Sequence, residues 1–166
     1  MAGRSIENEL GFVLTLAHAR VFRSVNEALT SLDLHVRTYT VLSIACDGDG
    51  VTQRSIATGM GLDPSRVVGL VDDLEQRGLV VRTADPDDRR NRLITPTAAG
   101  RAACEKACRA SESATAQVFA SVDPATTESV RKSLVQMVSG APRATSNDAS
   151  IGPAESRPRI TAAQDP

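Results

Sequence analysis

Apolar residues near the start of the chain recur every three or four positions, which is typical of an amphipathic helix. The repeat extends from Ser5, a suitable N-cap, to Leu29. Its apolar members are Ile6, Leu10, Val13, Leu14, Ala17, Val21, Val25, Ala28 and Leu29. Because Phe12, Leu16 and Phe22 widen this face beyond what one small core needs, we expect a long first helix that is partly covered by a second copy of the chain.

Two shorter helices are predicted next. A polar break at 31–35 separates the first helix from a second at 36–46, for which Tyr39, Val41, Leu42 and Ala45 are the expected core residues. The Asp-Gly repeat at 47–50 then forms a turn. Thr52 suits the N-cap of a third helix, which runs through Gly59.

The fourth predicted helix has a clear beginning and end. Asp63 suits its N-cap and Pro64 its first position, where a missing N–H costs nothing. Gly78 then ends the helix. Its inward face consists of Val67, Leu70, Val71 and Leu74, spaced i, i+3, i+4 and i+7. Two helices joined by a short glycine-containing turn predict a helix-turn-helix, with the fourth helix as the recognition helix.

A β-hairpin is predicted after the recognition helix. An apolar strand at 79–82 leads to turn-forming residues at 85–88. The arginine-rich segment 89–92 forms the tip and the return, and an apolar strand resumes at 93–94. This hairpin is the expected wing of a winged helix.

Two more helices complete the predicted fold. Thr95 or Thr97 caps a long helix to about Val122, and Asp123-Pro124 begins a last helix to about Val138. The composition after Gly140 predicts a disordered tail. The fold class is therefore mainly α with a small β-hairpin wing. We expect one domain at 1–140 with a winged helix-turn-helix core at about 36–100, dimerisation helices at about 5–29 and 96–140, and a tail at 141–166.

Composition and charge restrict the function only in part. The formal net charge of −1 means that DNA would have to be held by local clusters of basic residues. Lys106 and Lys132 are the only lysines, so the other basic residues are arginines. Arginine gives bidentate contacts to phosphate and guanine. Genome composition is an alternative explanation for this excess of arginine over lysine. Aromatic residues, at 2%, are too few for a platform that stacks single-stranded bases.

Nothing in the chain indicates secretion or a membrane anchor. The cysteines Cys46, Cys104 and Cys108 do not form the pattern of a secreted disulfide framework. There is no charged-then-apolar leader and no apolar run long enough to span a bilayer. We therefore expect a cytoplasmic protein.

The first turn of a recognition helix presents side chains to base edges in the major groove. Arg66 is able to make a bidentate contact to guanine, worth about 1–3 kcal/mol of discrimination, and Ser65 to bond a base or a phosphate. The alternative for Arg66 is a solvated surface arginine.

In the wing, four arginines nearly balance three aspartates, namely Arg82, Arg89, Arg90 and Arg92 against Asp85, Asp87 and Asp88. We expect the aspartates to brace the hairpin so that arginine projects into a narrow minor groove; a salt-bridged surface hairpin is the alternative. The candidate DNA-contacting residues are Thr52, Gln53, Arg54, Pro64, Ser65, Arg66, Gly69, Asp88, Arg89, Arg90 and Arg92.

The segment 50–101 resembles the winged-helix domain of the multiple-antibiotic-resistance regulator (MarR) family. The most specific match is DPDDRRNRLITPTAAG, which ends at Gly100, and the similarity covers about residues 6–140. Asp88 and Arg90 fall on the acidic and arginine positions of that family's wing motif. In many members of the family an arginine occupies the position of Gly69, and a threonine often occupies the position of Arg66. We therefore expect Arg66 to contact the bases that the arginine at the later position contacts in those members.

The resemblance implies a homodimer that represses or activates promoters at pseudo-palindromic sites. It also implies release by a small aromatic or phenolic ligand, for which His18 and Tyr39 are candidate contacts, with His18 expected to be buried. Family members that sense peroxide use a cysteine near the N-terminal helix, and this chain has none there. Cys104 and Cys108, spaced i, i+4 on one helix, suit packing or a weak metal pair.

The sequence therefore predicts a DNA-binding, homodimeric repressor. A winged helix that contacts only proteins and a cysteine-based redox-sensing regulator are the alternatives. The sequence has no glycine-rich phosphate loop, nucleophile elbow or metal-ligand cluster, and it has two histidines. We therefore expect no enzyme activity, no cofactor and no metal.

Overall fold

The structure is a computed structural model that describes residues 6, 9–48, 50–86 and 92–139. These residues form helices and short strands in an order that confirms the predicted fold class. The elements are α1 Leu10–Thr30, α2 Val36–Cys46, β1 Val51–Thr52, α3 Gln53–Met60, α4 Pro64–Gln76, β2 Val80–Ala84, β3 Arg92–Pro96, α5 Ala98–Val118 and α6 Pro124–Ser139. The predicted cap Ser5 and the predicted tail 141–166 lie outside the described residues.

The short helices of the core follow their local signals. The Thr52 hydroxyl oxygen accepts a hydrogen bond from the Ser55 amide at 3.1 Å and caps α3. At the end of α4, Gly78 has φ of +68° and its amide bonds Glu75 O at 2.9 Å. The next amide, of Leu79, bonds Leu74 O at 2.9 Å. This pair of bonds is a Schellman cap, so the predicted glycine stop is confirmed.

The sheet contains a strand that the sequence pattern did not predict. The strand order is β1-β3-β2 with antiparallel pairing throughout. Val51 pairs with Ile94, and Val80 pairs with Pro96. Because β1 has two residues, it has no periodicity of its own and exists only through its pairing with β3.

The long helices are shorter than predicted. α1 begins at Leu10 rather than Ser5, because Glu9 is in an extended conformation; Ile6, before it, is 60% exposed. α5 ends at Val118, four residues before the predicted Val122. The Asp123 carboxylate accepts the Thr126 amide at 2.8 Å, and a turn must separate this cap of α6 from the end of α5.

The core lies between the C-terminal half of α1, the helices α2 to α5 and the two wing strands. Its fully buried large side chains come from all of these elements except α5, which contributes Ala107 and Ala114. Each such side chain stabilises the fold by roughly 1.5–3 kcal/mol relative to an exposed one. The set is Leu29, Leu34, Val41, Leu42, Ile56, Met60, Val67, Val71, Leu74, Val80 and Ile94.

Two helical surfaces remain apolar and exposed. The N-terminal half of α1 presents Leu10, Val13 and Leu16, which are 44–72% exposed. In α6 no residue is buried, and its exposed apolar residues are Val130, Leu134, Val135 and Met137. No helix among the described residues is long and apolar enough to cross a membrane.

A close backbone contact joins the wing to α5. Thr97 caps α5 by accepting the Gly100 amide at 3.0 Å, and its hydroxyl donates to Gly78 O at 2.7 Å. Gly100 lies so near β2 that a Cβ atom there would stand 1.9 Å from Leu79 O. Of the two predicted caps Thr95 and Thr97, Thr97 is therefore the one used, and Thr95 lies in β3.

We predict that Gly100→Ala destabilises the protein by about 1–3 kcal/mol, since the methyl group would collide with backbone rather than with a flexible side chain. Urea unfolding followed by circular dichroism measures the change. Gly69→Ala, on a helix position with nothing within 4 Å, is the matched control and should stabilise by up to about 1 kcal/mol. Equal effects of the two substitutions on the free energy of unfolding would show that the backbone of Leu79 leaves room for a Cβ atom at position 100.

Candidate DNA-binding surface

The beginning of α4 is fixed by one carboxylate. Asp63 Oδ1 accepts the Ser65 amide at 2.8 Å and the Ser65 hydroxyl at 2.6 Å. These hydrogen bonds, with the nearby charge of Arg66, lower the pKa of Asp63 below its usual value. Pro64 occupies the first turn, as predicted. Because the Ser65 proton is donated to Asp63, Ser65 is left with acceptor capacity toward any partner outside the protein.

The first two turns of α4 present exposed side chains on the outward face of the helix. Pro64, Ser65, Arg66 and Gly69 are all exposed, and Val68 is 39% exposed. Arg66 takes part in none of the ion pairs found among the described residues. The side chain expected to contact bases is therefore available, and Gly69 leaves open space beside it.

The three candidates at the N-terminus of α3 differ in exposure and in hydrogen bonding. The Thr52 hydroxyl already caps α3 and shares a 2.8 Å hydrogen bond with the Ser55 hydroxyl. Gln53 is half-buried and Arg54 is exposed. Of these three candidates, Arg54 is the charged side chain that faces solvent.

Only the base of the wing lies within the described residues. Arg92 is exposed at the start of β3, paired with Ala84 across the hairpin. The candidates Asp88, Arg89 and Arg90, together with Asp87, fall outside the part of the chain that the structure describes.

Arg82 of β2 pairs with carboxylates of the recognition helix. Its guanidinium donates to Asp72 and to Glu75 of α4, and its backbone amide donates to Glu75 Oε1 at 3.2 Å. Burial lowers the pKa of Arg82, but these two carboxylates outweigh it and raise the pKa. The guanidinium of Arg82 is thus occupied by ion pairs within the chain. It connects the wing directly to the recognition helix.

Arg77 is a connecting residue that the sequence pattern did not reveal. Its guanidinium pairs with Asp73 at 3.3 Å and with Asp33 at 3.5 Å, and it donates to Leu32 O at 3.4 Å. It therefore joins the end of α4 to the turn between α1 and α2. Arg77 directly precedes Gly78, the glycine that ends the helix. This position is the sequence feature that could have indicated the contact with Leu32 O, because basic side chains near a helix C-terminus often bond nearby carbonyls.

The two candidate ligand contacts lie on different helices. His18 on α1 is exposed, with its ring centroid 5.7 Å from that of Phe22. Among the described residues the expectation that His18 is buried is wrong, because its side chain is exposed on α1. Tyr39 on α2 is half-buried against the core. Among the described residues, no group of three or more His, Cys, Asp or Glu is arranged to hold a metal ion.

Comparison with known proteins agrees with this geometry. The model of the MarR family matches residues 32–91. A transcriptional regulator of the MarR family from Rhodococcus sp. RHA1 has a structure similar to this one, with 41% identity and a TM-score of 0.77 over 81% of this chain and 96% of that chain. The chain belongs to the MarR family.

Two further proteins are similar to this chain. CouR from Rhodococcus jostii RHA1, solved with bound p-coumaroyl-CoA, has 42% identity and a TM-score of 0.75 over 81% of this chain and 95% of that chain. A protein of Thauera aromatica described as a transcriptional regulatory protein for the hcr operon is 32% identical over 97 residues, which span 58% of each chain. In this MarR-family chain, the outward face of α4 is accordingly the candidate DNA-binding surface.

We predict that Arg82→Gln lowers the free energy of unfolding by about 1 kcal/mol, with a smaller loss at high salt, because the ion pairs with Asp72 and Glu75 are partly exposed. Urea unfolding at low and at high salt measures this. Arg131→Gln is the control, since it removes the exposed pair with Glu128 on α6 and should change stability less. A loss for Arg82→Gln that does not depend on salt would contradict an electrostatic role.

Proposed function

We propose that this protein is a homodimeric transcriptional repressor that binds a pseudo-palindromic DNA operator through α4 and the wing. The observation that carries the proposal is the arrangement of α4 in a chain of the MarR family. Its inward face is fully buried through Val67, Val71 and Leu74, while its first turn projects an exposed Arg66. A rigid helix with one exposed end fits a major groove about 12 Å wide.

The proposed roles of the basic residues differ with their position. Arg66, in the first turn of α4, contacts guanine through its two parallel donors. Arg54 and Arg92 are exposed at the edges of this surface and contact phosphates, which fix the register without specifying sequence. Arg89 and Arg90 of the wing remain candidates for the minor groove.

The proposed dimer uses the apolar surfaces of α1 and α6. A helix such as α6, with no buried residue in this chain, gains little stability from its own sequence and needs a surface to pack against. A second copy supplies such a surface. Two copies related by a two-fold axis also place two recognition helices on two half-sites of an operator.

We propose that a small aromatic or phenolic effector, free or as its CoA thioester, releases the DNA. The support is the p-coumaroyl-CoA bound to the Rhodococcus neighbour CouR, together with His18 and Phe22, whose rings lie together on α1. Tyr39 offers a further aromatic side chain on α2. A regulator of this kind acts where the chromosome is, so we place the protein in the cytoplasm.

We predict that Arg66→Ala reduces the preference for the operator over unrelated DNA by roughly 5- to 150-fold, the equivalent of about 1–3 kcal/mol. Arg92→Ala should instead weaken binding evenly across sequences and reduce the slope of log K against log salt by about 1. Fluorescence anisotropy with DNA from the promoter region of the protein's own gene measures both effects.

Arg131→Ala is the matched control, because it removes the same charge from α6, away from the proposed surface. If all these variants and the wild type bind weakly and without sequence preference, the chain is a winged helix used for contact with proteins. Adding p-coumarate and p-coumaroyl-CoA to the operator complex in separate titrations distinguishes a free acid from a thioester as effector.

We predict that the chain sediments as a dimer at micromolar concentration and that Leu134→Asp shifts it toward monomer, because a charge would be buried in the proposed interface. Gln136→Asp adds the same charge at an exposed position on the side of α6 away from Val130 and Leu134 and should leave the dimer intact. A wild-type monomer at micromolar concentration would contradict the dimer.

A further inference from the structure

The recognition helix carries more negative than positive charge. Within α4, Arg66 is the single basic residue, and Asp72, Asp73 and Glu75 follow about two turns later. We call these three carboxylates the acidic turn. One arginine against three carboxylates gives α4 a net charge of −2. This sign opposes the approach of the helix to DNA, whose phosphates are negative.

The acidic turn would lie close to phosphates in the proposed complex. A helix with its side chains is about 10–12 Å across and the major groove is about 12 Å wide, so both flanks of a recognition helix face phosphates. At about 1.5 Å per residue, Asp72 is roughly 9 Å along the helix from Arg66. The side chains of Asp72 and Asp73 are 56% and 48% exposed. Their charges are therefore close enough to phosphates to weaken binding by the helix.

Arg82 of β2 lies against two of these carboxylates. Its guanidinium donates to Asp72 and to Glu75, and its backbone amide donates to Glu75 Oε1 at 3.2 Å. The Arg82 side chain is largely covered by the chain, and it remains 25% exposed. With Arg82, the three side chains have a net charge of −1, and without it the two carboxylates have a net charge of −2.

The third carboxylate of the acidic turn has a different arginine. Asp73 pairs with Arg77 at 3.3 Å, and Arg77 also pairs with Asp33 at 3.5 Å. Successive residues of a helix point in directions about 100° apart, so Asp72 faces the wing and Asp73 faces the turn after α1. Each flank of the recognition helix therefore has an arginine bound to its carboxylates, and Arg82 is the one that binds two of them.

We propose that Arg82 promotes DNA binding without contacting DNA, because it offsets the negative charge of Asp72 and Glu75 on the recognition helix. The inference rests on the proposed function, since it concerns the complex of α4 with DNA. Arg82 is a positioning residue that acts through the two carboxylates. Two like charges about 8 Å apart in water change a binding constant roughly twofold, and several phosphates lie along the flank of the helix.

Two other roles of Arg82 lead to different expectations. If its ion pairs only brace the wing against α4, removing the charge of Asp72 should weaken DNA binding as removing Arg82 does. If Arg82 itself contacts a phosphate, its loss should persist when a carboxylate is also removed. If Arg82 offsets charge, removing a carboxylate should instead compensate for the loss of Arg82.

The test measures binding of the full chain to DNA from the promoter region of its own gene, by fluorescence anisotropy at about 50 mM and about 200 mM salt. Arg82→Gln should bind roughly 3- to 10-fold more weakly than the wild type at the lower salt. The difference should be smaller at the higher salt, where exposed charges are screened. Adding Asp72→Asn to Arg82→Gln returns the local net charge to −1 and should restore binding to within about twofold of the wild type.

Arg82→Gln combined with Glu128→Gln is the matched control. It has the same total charge as the wild type and as the compensated variant, but it loses a carboxylate of α6, where Glu128 pairs with Arg131. Because α6 lies away from the proposed surface, this variant should bind DNA as weakly as Arg82→Gln alone. Recovery of binding would thus depend on where the carboxylate is removed.

Asp72→Asn alone tests the proposal with Arg82 in place. Arg82 keeps its pair with Glu75, while the flank of α4 loses one negative charge. This variant should bind DNA at least as tightly as the wild type at the lower salt. Circular dichroism and urea unfolding check that each variant folds, so that a loss of binding is not a loss of structure.

Several results would overturn the proposal. Arg82→Gln could bind as the wild type does, Asp72→Asn could fail to restore binding, or Glu128→Gln could restore it equally well. Weaker binding by Asp72→Asn alone would show that the ion pairs act as a brace. A wild-type protein that binds weakly and without sequence preference is a separate outcome, because it contradicts the proposed function and this inference together.

Discussion

The burial of one face of α4 is the interaction on which the rest of the structure depends. Val67, Val71 and Leu74 are completely buried, and together they hold the recognition helix against the core at a fixed rotation. Truncating a large buried aliphatic side chain typically costs about 2–5 kcal/mol, a large part of the roughly 5–15 kcal/mol by which a domain is stable. With this face fixed inward, the first turn of α4 necessarily presents Arg66 to solvent.

Local hydrogen bonds then transmit the position of α4 to the elements around it. The Schellman cap at Gly78 sets the direction in which β2 leaves the helix. The ion pairs of Arg82 hold β2 against α4, and those of Arg77 hold the end of α4 against the turn after α1. The close approach of Gly100 to Leu79 finally fixes the start of α5. The proposed DNA-binding elements are thus connected to both long helices by short contacts.

The near-neutral net charge of the chain is consistent with two different roles for its arginines. Arg77 and Arg82 are neutralised by carboxylates inside the fold, whereas Arg54, Arg66 and Arg92 remain exposed and are absent from the ion pairs of the described residues. A few placed arginines, rather than a broad positive field, would therefore supply phosphate and base contacts. This favours binding that depends on register more than on bulk electrostatic attraction.

The sequence by itself determined the elements whose signals are local. α2 begins and ends where the pattern predicted, and the caps at Thr52, Asp63 and Gly78 are all present, because a cap is a hydrogen bond between residues a few positions apart. The wing motif likewise identified the MarR family. Only the tertiary structure decided contacts between residues far apart in sequence, namely the pairing of β1 with β3 and the close approach of Gly100 to the backbone of Leu79. It also decided that Arg82 pairs with Asp72 and Glu75 of α4, because which of several nearby carboxylates an arginine meets depends on how the wing packs.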